Sequence, residues 1–434
     1  MLRAPLISEY DPSEEGEGSI DPMGLQPAYE RLADRLLSAV TVRMGRPRFV
    51  TAMAVGAVVC QDWDEEAVAK DEVTPPWLVF EWFVVEAFVR ARESLHEPRG
   101  IPGVQKVERA LRNQRQVSAS AYLKTPTVFG FSGVFRRLAR HLGVLTEEGR
   151  LDSDGYELVS AWAKDQELAG FLDGSGPGIA FRDRLRRAVQ QGMEQGHTSY
   201  QPSAFWQEIS VRLDPARPGM NERRILLQLL ANRSGDPEKV GALIAVLKAV
   251  GGPLDAADEP PLLRGLGHKA SFELQELLSA IDDYEAFCRP TLDAFNWLRY
   301  LSTSAQGALI GADELATCRA SPKLVRALRD GLSRIGANAR LLEWEPHLVN
   351  AKAHFETVRD AEDLFATVLA YHEKVQRDKL PESKRSWFER GRDQKVVVRP
   401  GYALDEAPEN PLAYVHEYRT PTFSRFLADL GAFE

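Results

Sequence analysis

The stretch that decides the reading of this chain is Ala121–Lys164, AYLKTPTVFGFSGVFRRLARHLGVLTEEGRLDSDGYELVSAWAK. Within it Val134, Phe135, Leu138 and Leu142 recur at i, i+1, i+4 and i+8, the apolar stripe of an amphipathic helix running from Ser132 to Leu142. Arg136, Arg137, Arg140 and His141 fall mostly off that stripe and are expected to reach solvent. Gly143 is a C-terminal stop. Val144 and Leu145 on one side and Leu151 on the other flank the polar turn Thr146-Glu147-Glu148-Gly149, which suits a short hairpin. Asp152 or Ser153 supplies a cap for a second helix, whose core face is expected from Tyr156, Leu158, Val159, Trp162 and Ala163.

A basic helix, a small hairpin and a further helix in this order resemble the second half of a winged helix-turn-helix domain, over residues 121–168 only. The resemblance implies that the helix enters the major groove of double-stranded DNA, its arginines contacting phosphates or guanine edges. Carried onto this sequence, the implied nucleic-acid-binding residues are Lys124, Thr127, Ser132, Arg136, Arg137, Arg140 and His141, with Thr125 beside the upstream pair that would hold the backbone. The turn Glu147-Glu148 is acidic where a DNA-contacting wing carries Arg or Lys, so the wing itself is not expected in the minor groove. Winged helices also serve as structural or protein-docking modules, and that alternative stays open at this point.

Composition sets the frame. A chain of 434 residues holds roughly two or three domains' worth of sequence. Its 44% hydrophobic and 27% charged residues are ordinary globular values, enough for a large core. The net charge of −9 excludes a protein that coats nucleic acid, so any DNA contact must come from a local basic island. Cys60, Cys288 and Cys318 are odd in number and far apart, which offers neither a disulfide framework nor zinc spacing and fits a reducing cytoplasm. The N-terminus is acidic without an apolar core, so no signal peptide is expected. The longest apolar run, Trp77–Val89, is interrupted by Glu81 and Glu86 and reads as a buried helix, not a membrane span.

Taken in order, residues 1–24 are expected as an acidic flexible tail and 25–120 as an N-terminal helical domain. Three helices open there at Pro27, Pro47 and Pro75-Pro76. A basic connection with Arg99, Lys106, Arg109, Arg112 and Arg115 follows, its Val107 and Leu111 giving one helical face. Residues 121–168 form the winged-helix-like domain, and Gly174–Gly178 a hinge. Residues 179–380 read as a helical domain. It starts with a basic helix, Ile179–Gly192, carrying Arg182, Arg184, Arg186 and Arg187, a possible extension of a DNA track. Helices are then expected over Pro202–Val211, Asn221–Ala231, Pro237–Val250, Ser271–Phe287, Thr291–Ser302, Pro322–Ile335 and Ala361–Gln376. Residues 381–434 are expected as a small α/β cap, with strand Lys395–Arg399 pairing with Ala413–Tyr418 ahead of a helix over Thr422–Leu430. The fold class is therefore mainly α: a multi-helix array with an embedded winged-helix domain and a small β-containing C-terminal cap.

The sequence holds no P-loop, dinucleotide fingerprint, His-Glu-x-x-His or Gly-x-Ser-x-Gly. Glu343, Glu345, His347 and His354 are spread across Pro346, too loosely for metal ligation, and Asp282, Asp283 and Glu285 read as a solvated acidic face. No catalytic residue, cofactor or metal is expected. The reading is a non-enzymatic DNA-binding component of a bacterial multiprotein system, cytoplasmic and without membrane contact, with double-stranded DNA and other protein subunits as partners. The Ala/Arg/Leu-rich composition suggests a high-GC bacterium, and the chain as a whole resembles uncharacterised bacterial proteins of mobile or defence-related gene neighbourhoods. Two alternatives stand: a scaffold whose winged helix docks protein, and an enzyme with an unrecognised site.

Overall fold

The structure, a computed structural model, describes residues 21–92, 100–267, 270–379, 384–408 and 413–433. Among these the protein is mainly helical, with nineteen α-helices and one small two-stranded sheet near the C-terminus. In chain order the first helices are α1 (Gln26–Leu36), α2 (Phe49–Val59), α3 (Pro76–Arg90), α4 (Val104–Arg112), α5 (Pro126–Phe129), α6 (Phe131–His141) and α7 (Ser153–Asp165). Next come α8 (Pro177–Gln195), α9 (Ser203–Arg212), α10 (Met220–Arg233), α11 (Pro237–Val250), α12 (Glu259–Gly267) and α13 (Phe272–Ser304). The last are α14 (Ala312–Ala316), α15 (Ser321–Ala337), α16 (Ala339–Trp344), α17 (His347–Phe355), α18 (Ala361–Arg377) and, after strands β1 (Phe388–Arg390) and β2 (Val396–Val398), α19 (Thr420–Asp429). No described helix is long and apolar enough to cross a membrane.

The chain divides into two compact units, neither continuous in sequence: Met1–Leu32 with Pro260–Glu417, and Ala33–Glu259 with Tyr418–Glu434. This differs from the expected division. Residues 121–168 are not set apart from 33–120 or from 179–259, because α2 packs on both α6 and α7, and α7 packs on α10.

The second unit is built around α3. Pro76 starts it with a φ already suited to a helix. Leu78, Val79, Phe80, Trp82, Phe83, Val84, Val85, Ala87 and Phe88 are buried all round it, as a central helix requires. Helices α2, α4, α6, α8 and α9 pack on it, and Phe83 stacks on Trp206 with centroids 5.8 Å apart. Nearby, Arg48 and Glu222 form a fully buried ion pair at 2.9 Å. The Arg48 guanidinium also donates to the carbonyls of Asp214 and Arg212, and Glu222 accepts from the Gly219 N–H at the start of α10. The pair is thus fully hydrogen-bonded, the condition under which buried charges are tolerated. Helix α19 is fixed through Glu259, a buried carboxylate that accepts from the Tyr418 and Thr420 N–H groups and the Thr420 hydroxyl.

The first unit is organised by α13, a helix of 33 residues along which α15 packs. The sequence suggests two helices broken at Pro290, yet the helix continues through it. Proline removes the N–H that would reach the Ala286 carbonyl. That carbonyl lies against Gly331 of α15, where a Cβ would stand 2.4 Å from its oxygen. A glycine on the neighbour, and a helix held on both sides of the defect by packing, replace the break.

Strands β1 and β2 pair antiparallel, with Phe388 opposite Val398 and Arg390 opposite Val396. The strand at 395–399 was legible, but its expected partner was wrong. Ala413–Tyr418 contains no strand among its described residues. Its polar groups go to α13 instead: the Val415 N–H and the His416 ring bond Glu285, and the Tyr414 hydroxyl bonds Asp282. Those contacts also correct the solvated acidic face, since Glu285 is buried and Asp282 pairs with Arg264 and Arg334. Residues 1–20 of the expected flexible tail, and Arg99 of the basic connection, lie outside the described residues. Residues 21–24 are docked: Asp21 caps α1 through the Leu25 and Gln26 N–H groups, and Met23 is fully buried.

Two outcomes follow from this packing. Gly331→Ala drives a methyl into the Ala286 carbonyl, and a loss of about 1–3 kcal/mol is expected from urea unfolding, against a gain of about 0.5–1 kcal/mol for Gly241→Ala, which lies inside α11 with open space around the new methyl. His372 is buried; it accepts from the Trp387 N–H at Nε2, which leaves Nδ1–H to donate to the Pro22 carbonyl at 2.8 Å. Burial lowers its pKa to about 4. Because the folded value lies below the usual one near 6.5, this stabilisation is complete above about pH 6.5 and is lost as pH falls towards 4. It amounts to about 3 kcal/mol. Urea midpoints compared between pH 7 and 4 should show a component that the His372→Leu variant lacks.

Candidate nucleic-acid interface

The helix expected over Ser132–Leu142 is α6, and its entry is set by a single buried carboxylate on α3. Glu81 accepts from the Tyr122 hydroxyl at 2.7 Å and from the Ser132 N–H at 2.8 Å. Burial pushes its carboxyl up, and these hydrogen bonds oppose the shift. Gly133 lets α6 lie directly on α5, since a Cβ there would stand 2.4 Å from the Thr127 backbone. Phe131 and Phe135 then bury their rings against Phe49 of α2, with centroids 5.1 and 5.6 Å apart.

After Gly143 the chain makes the expected small hairpin, closed by an antiparallel bridge between Leu145 and Leu151. The Thr146 N–H bonds the Arg150 carbonyl, and Gly149 turns the tip at φ +85°, a conformation that favours glycine. Asp152 caps α7 through the Ser153 N–H. Leu158, Val159, Trp162 and Ala163 are buried as expected, but Tyr156 is 56% exposed and is not part of the core face.

The expected contact residues separate into groups. Lys124, Thr125, Thr127, Arg137 and His141 are exposed. Arg137 reaches Asp34 at 2.8 Å while its side chain stays 63% exposed. Ser132 is buried at the start of α6, so its expected role in nucleic-acid contact is not available. Arg136 and Arg140, four apart on one helix face, turn inward. Arg136 lies over the Trp77 ring at 4.7 Å. Arg140 pairs with Glu147 at 2.9 Å and also donates to the Glu147 carbonyl. The acidic turn that departed from the winged-helix pattern therefore serves as the partner of an arginine on α6.

The free positive charge lies elsewhere. Between Gly100 and Lys124 the chain carries Lys106, Arg109, Arg112, Arg115 and Lys124 against one acid, Glu108. All five cations are exposed, and none pairs with a carboxylate among the described residues. Glu108 itself pairs with Arg92. Val107 and Ala110 bury the opposite face of α4 on α3. Tyr122, bonded to Glu81, packs directly on Gly103 before α4, so this basic surface shares its anchor with the entry of α6. The sequence showed these residues but not that no described carboxylate pairs with them; among the described residues Arg112 meets only the Glu108 backbone carbonyl. By contrast, the basic helix α8 is mostly committed. Arg182 is buried on the Phe171 and Leu172 carbonyls, Arg184 pairs with Glu208 and Arg186 with Asp62, leaving Arg187 exposed.

No group of three or more His, Cys, Asp or Glu residues among those described is placed to hold a metal ion. Glu345, weighed with the nearby histidines, is buried and bonded to Arg31. The chain matches no protein-family model, and no curated protein or solved structure is significantly similar to it.

Glu81→Met leaves the Tyr122 hydroxyl and the Ser132 N–H without an acceptor, each at about 1–3 kcal/mol. In that background Tyr122→Phe should cost less than in the wild type. Urea unfolding of the four proteins measures the coupling, and strictly additive losses would contradict the shared anchor.

Proposed function

We propose that this protein is a non-enzymatic DNA-binding subunit of a bacterial multiprotein system. In this reading α6, the hairpin and α7 serve as a winged helix, and α4 with the segment entering α6 grips the phosphate backbone. The observation that carries the reading is the run Lys106, Arg109, Arg112, Arg115 and Lys124, exposed and unpaired with acids among the described residues, in a chain of net charge −9. An isolated cationic strip of this kind attracts phosphates and releases their counterions. Thr127, Arg137 and His141 extend the exposed polar surface along α5 and α6. Arg136 and Arg140 do not contact DNA in this proposal, because both guanidinium groups face inward in the unit.

A second reading, docking of a protein subunit, is favoured by one feature. Val128 and Phe129 on α5 are 41% and 52% exposed, and Arg43 lies over the Phe129 ring.

Duplex-DNA binding followed by fluorescence anisotropy across about 50 to 200 mM salt separates the two. The wild type should show a steep slope of log K against log salt. Replacing Lys106, Arg109, Arg112 and Arg115 together by Ala should lower that slope by about 0.9 for each phosphate no longer neutralised, while Arg136→Ala leaves it unchanged. No binding, or a slope indifferent to the α4 variant, would overturn DNA contact in favour of protein docking.

A further inference from the structure

A cleft of about 320 Å³ opens in the second unit between α2, the loop after it, the start of α3, α6 and the hairpin. That volume is within the range of small-molecule sites. Its apolar lining comes from Met53, Ala57, Trp63, Phe80 and Leu145. Arg136 and Arg140 line it too.

Arg136 is the unusual member. It is half-buried on Trp77, and none of its five N–H donors is hydrogen-bonded to a described residue. Arg140, the next residue on the same helix face, has its Nε buried without a hydrogen-bond partner among the described residues. Burial first, and the Arg140 charge second, hold the Arg136 guanidinium below its ordinary pKa. Two like charges in a partly desolvated cleft, with donors unmet, are a cost that an anion placed between them would remove.

The charges around the mouth narrow the choice of anion. Asp64 and Glu148 are exposed, and the side chains of Glu65 and Glu147 are 58% and 80% exposed; against these four acids stands one exposed lining cation, Arg150, 3.9 Å from Glu65. An acidic rim repels a polyanion such as a nucleic-acid backbone, and so separates this cleft from the strip on α4. A cation meets the guanidinium groups inside, and the Trp77 face that would receive it already carries Arg136. What remains is a compact molecule with one negative group and a flat apolar body.

We infer that this cleft binds a small aromatic carboxylic acid, its carboxylate held by Arg136 and Arg140 and its ring set among Trp63, Phe80 and Met53. The ligand's carboxylate would compete with Glu147 for Arg140, so occupancy bears directly on the hairpin.

The test is calorimetric titration of the whole chain, without DNA, using indole-3-acetate, its neutral amide and the corresponding amine, tryptamine. The acid should bind, the amide at least about tenfold more weakly because it lacks a charge-assisted pair, and the amine not at all. Arg136→Gln should reduce the acid to the level of the amide, with its urea midpoint showing that the variant folds. Ala57→Phe, which fills the cleft, should abolish binding of both. Equal binding of acid and amide, preference for the amine, binding that survives Ala57→Phe, or no heat from the acid up to its solubility limit would each overturn the assignment.

Discussion

A carboxylate taken out of water must find hydrogen-bond donors, and the second unit uses that requirement to place its parts. Glu81 sits on a helix whose other buried carboxylate, Glu86, is paired within the helix with Arg90, and the donors that satisfy Glu81 come from Tyr122 and the first turn of α6. Without it nothing polar would distinguish one seating of α6 on α3 from a slightly rotated one. Glu222 does the same for the start of α10 with Arg48, and Glu259 for the start of α19. Within the first unit Glu285 collects Val415 and His416, and Glu345 collects Arg31. Each carboxylate accepts from a segment distant in sequence, so the hydrophobic core supplies stability while these residues supply register.

The same rule governs what the arginines do. A guanidinium on the surface of an acidic chain finds a carboxylate, as Arg137 and Arg140 have. It keeps its charge available only where acids are scarce, as on α4. Charge counted along the sequence therefore overstates the basic character of α6 and α8 and understates that of α4. Whether an arginine is free depends on neighbours that are far away in the chain.

Local pattern was legible wherever one helix decided its own fate. The 3.6-residue spacing, the caps and the proline starts located α11 to the residue and α6, α9, α10 and α18 to within a residue or two. The small hairpin and its cap at Asp152 were equally plain, because turn chemistry is local. What escaped were outcomes fixed by a neighbour. Pro290 does not break α13 because packing against α15 holds it. Ala413–Tyr418 alternates like a strand, but its N–H groups meet a carboxylate before any strand. Ser132 and Tyr156 exchanged the environments expected of them, since the face a helix buries depends on how many elements surround it. Of the candidate interface, the exposed members Lys124, Thr127, Arg137 and His141 were readable. The turning inward of Arg136 and Arg140 required knowing that Trp77 and Glu147 lie beside them.

The seat of α19 also has a consequence in time. Glu259 and the Thr420 N–H that satisfies it are separated by 161 residues, all but the last few belonging to the other unit. At roughly 5–20 residues per second, a ribosome takes on the order of ten to thirty seconds to cross that interval. Throughout it the second unit has its first 227 residues (Ala33–Glu259) but lacks the ring of Phe426 that stacks on Phe135. The apolar floor under α6 is therefore uncovered on the nascent chain, and the surface proposed to bind DNA is completed only when the final helix docks.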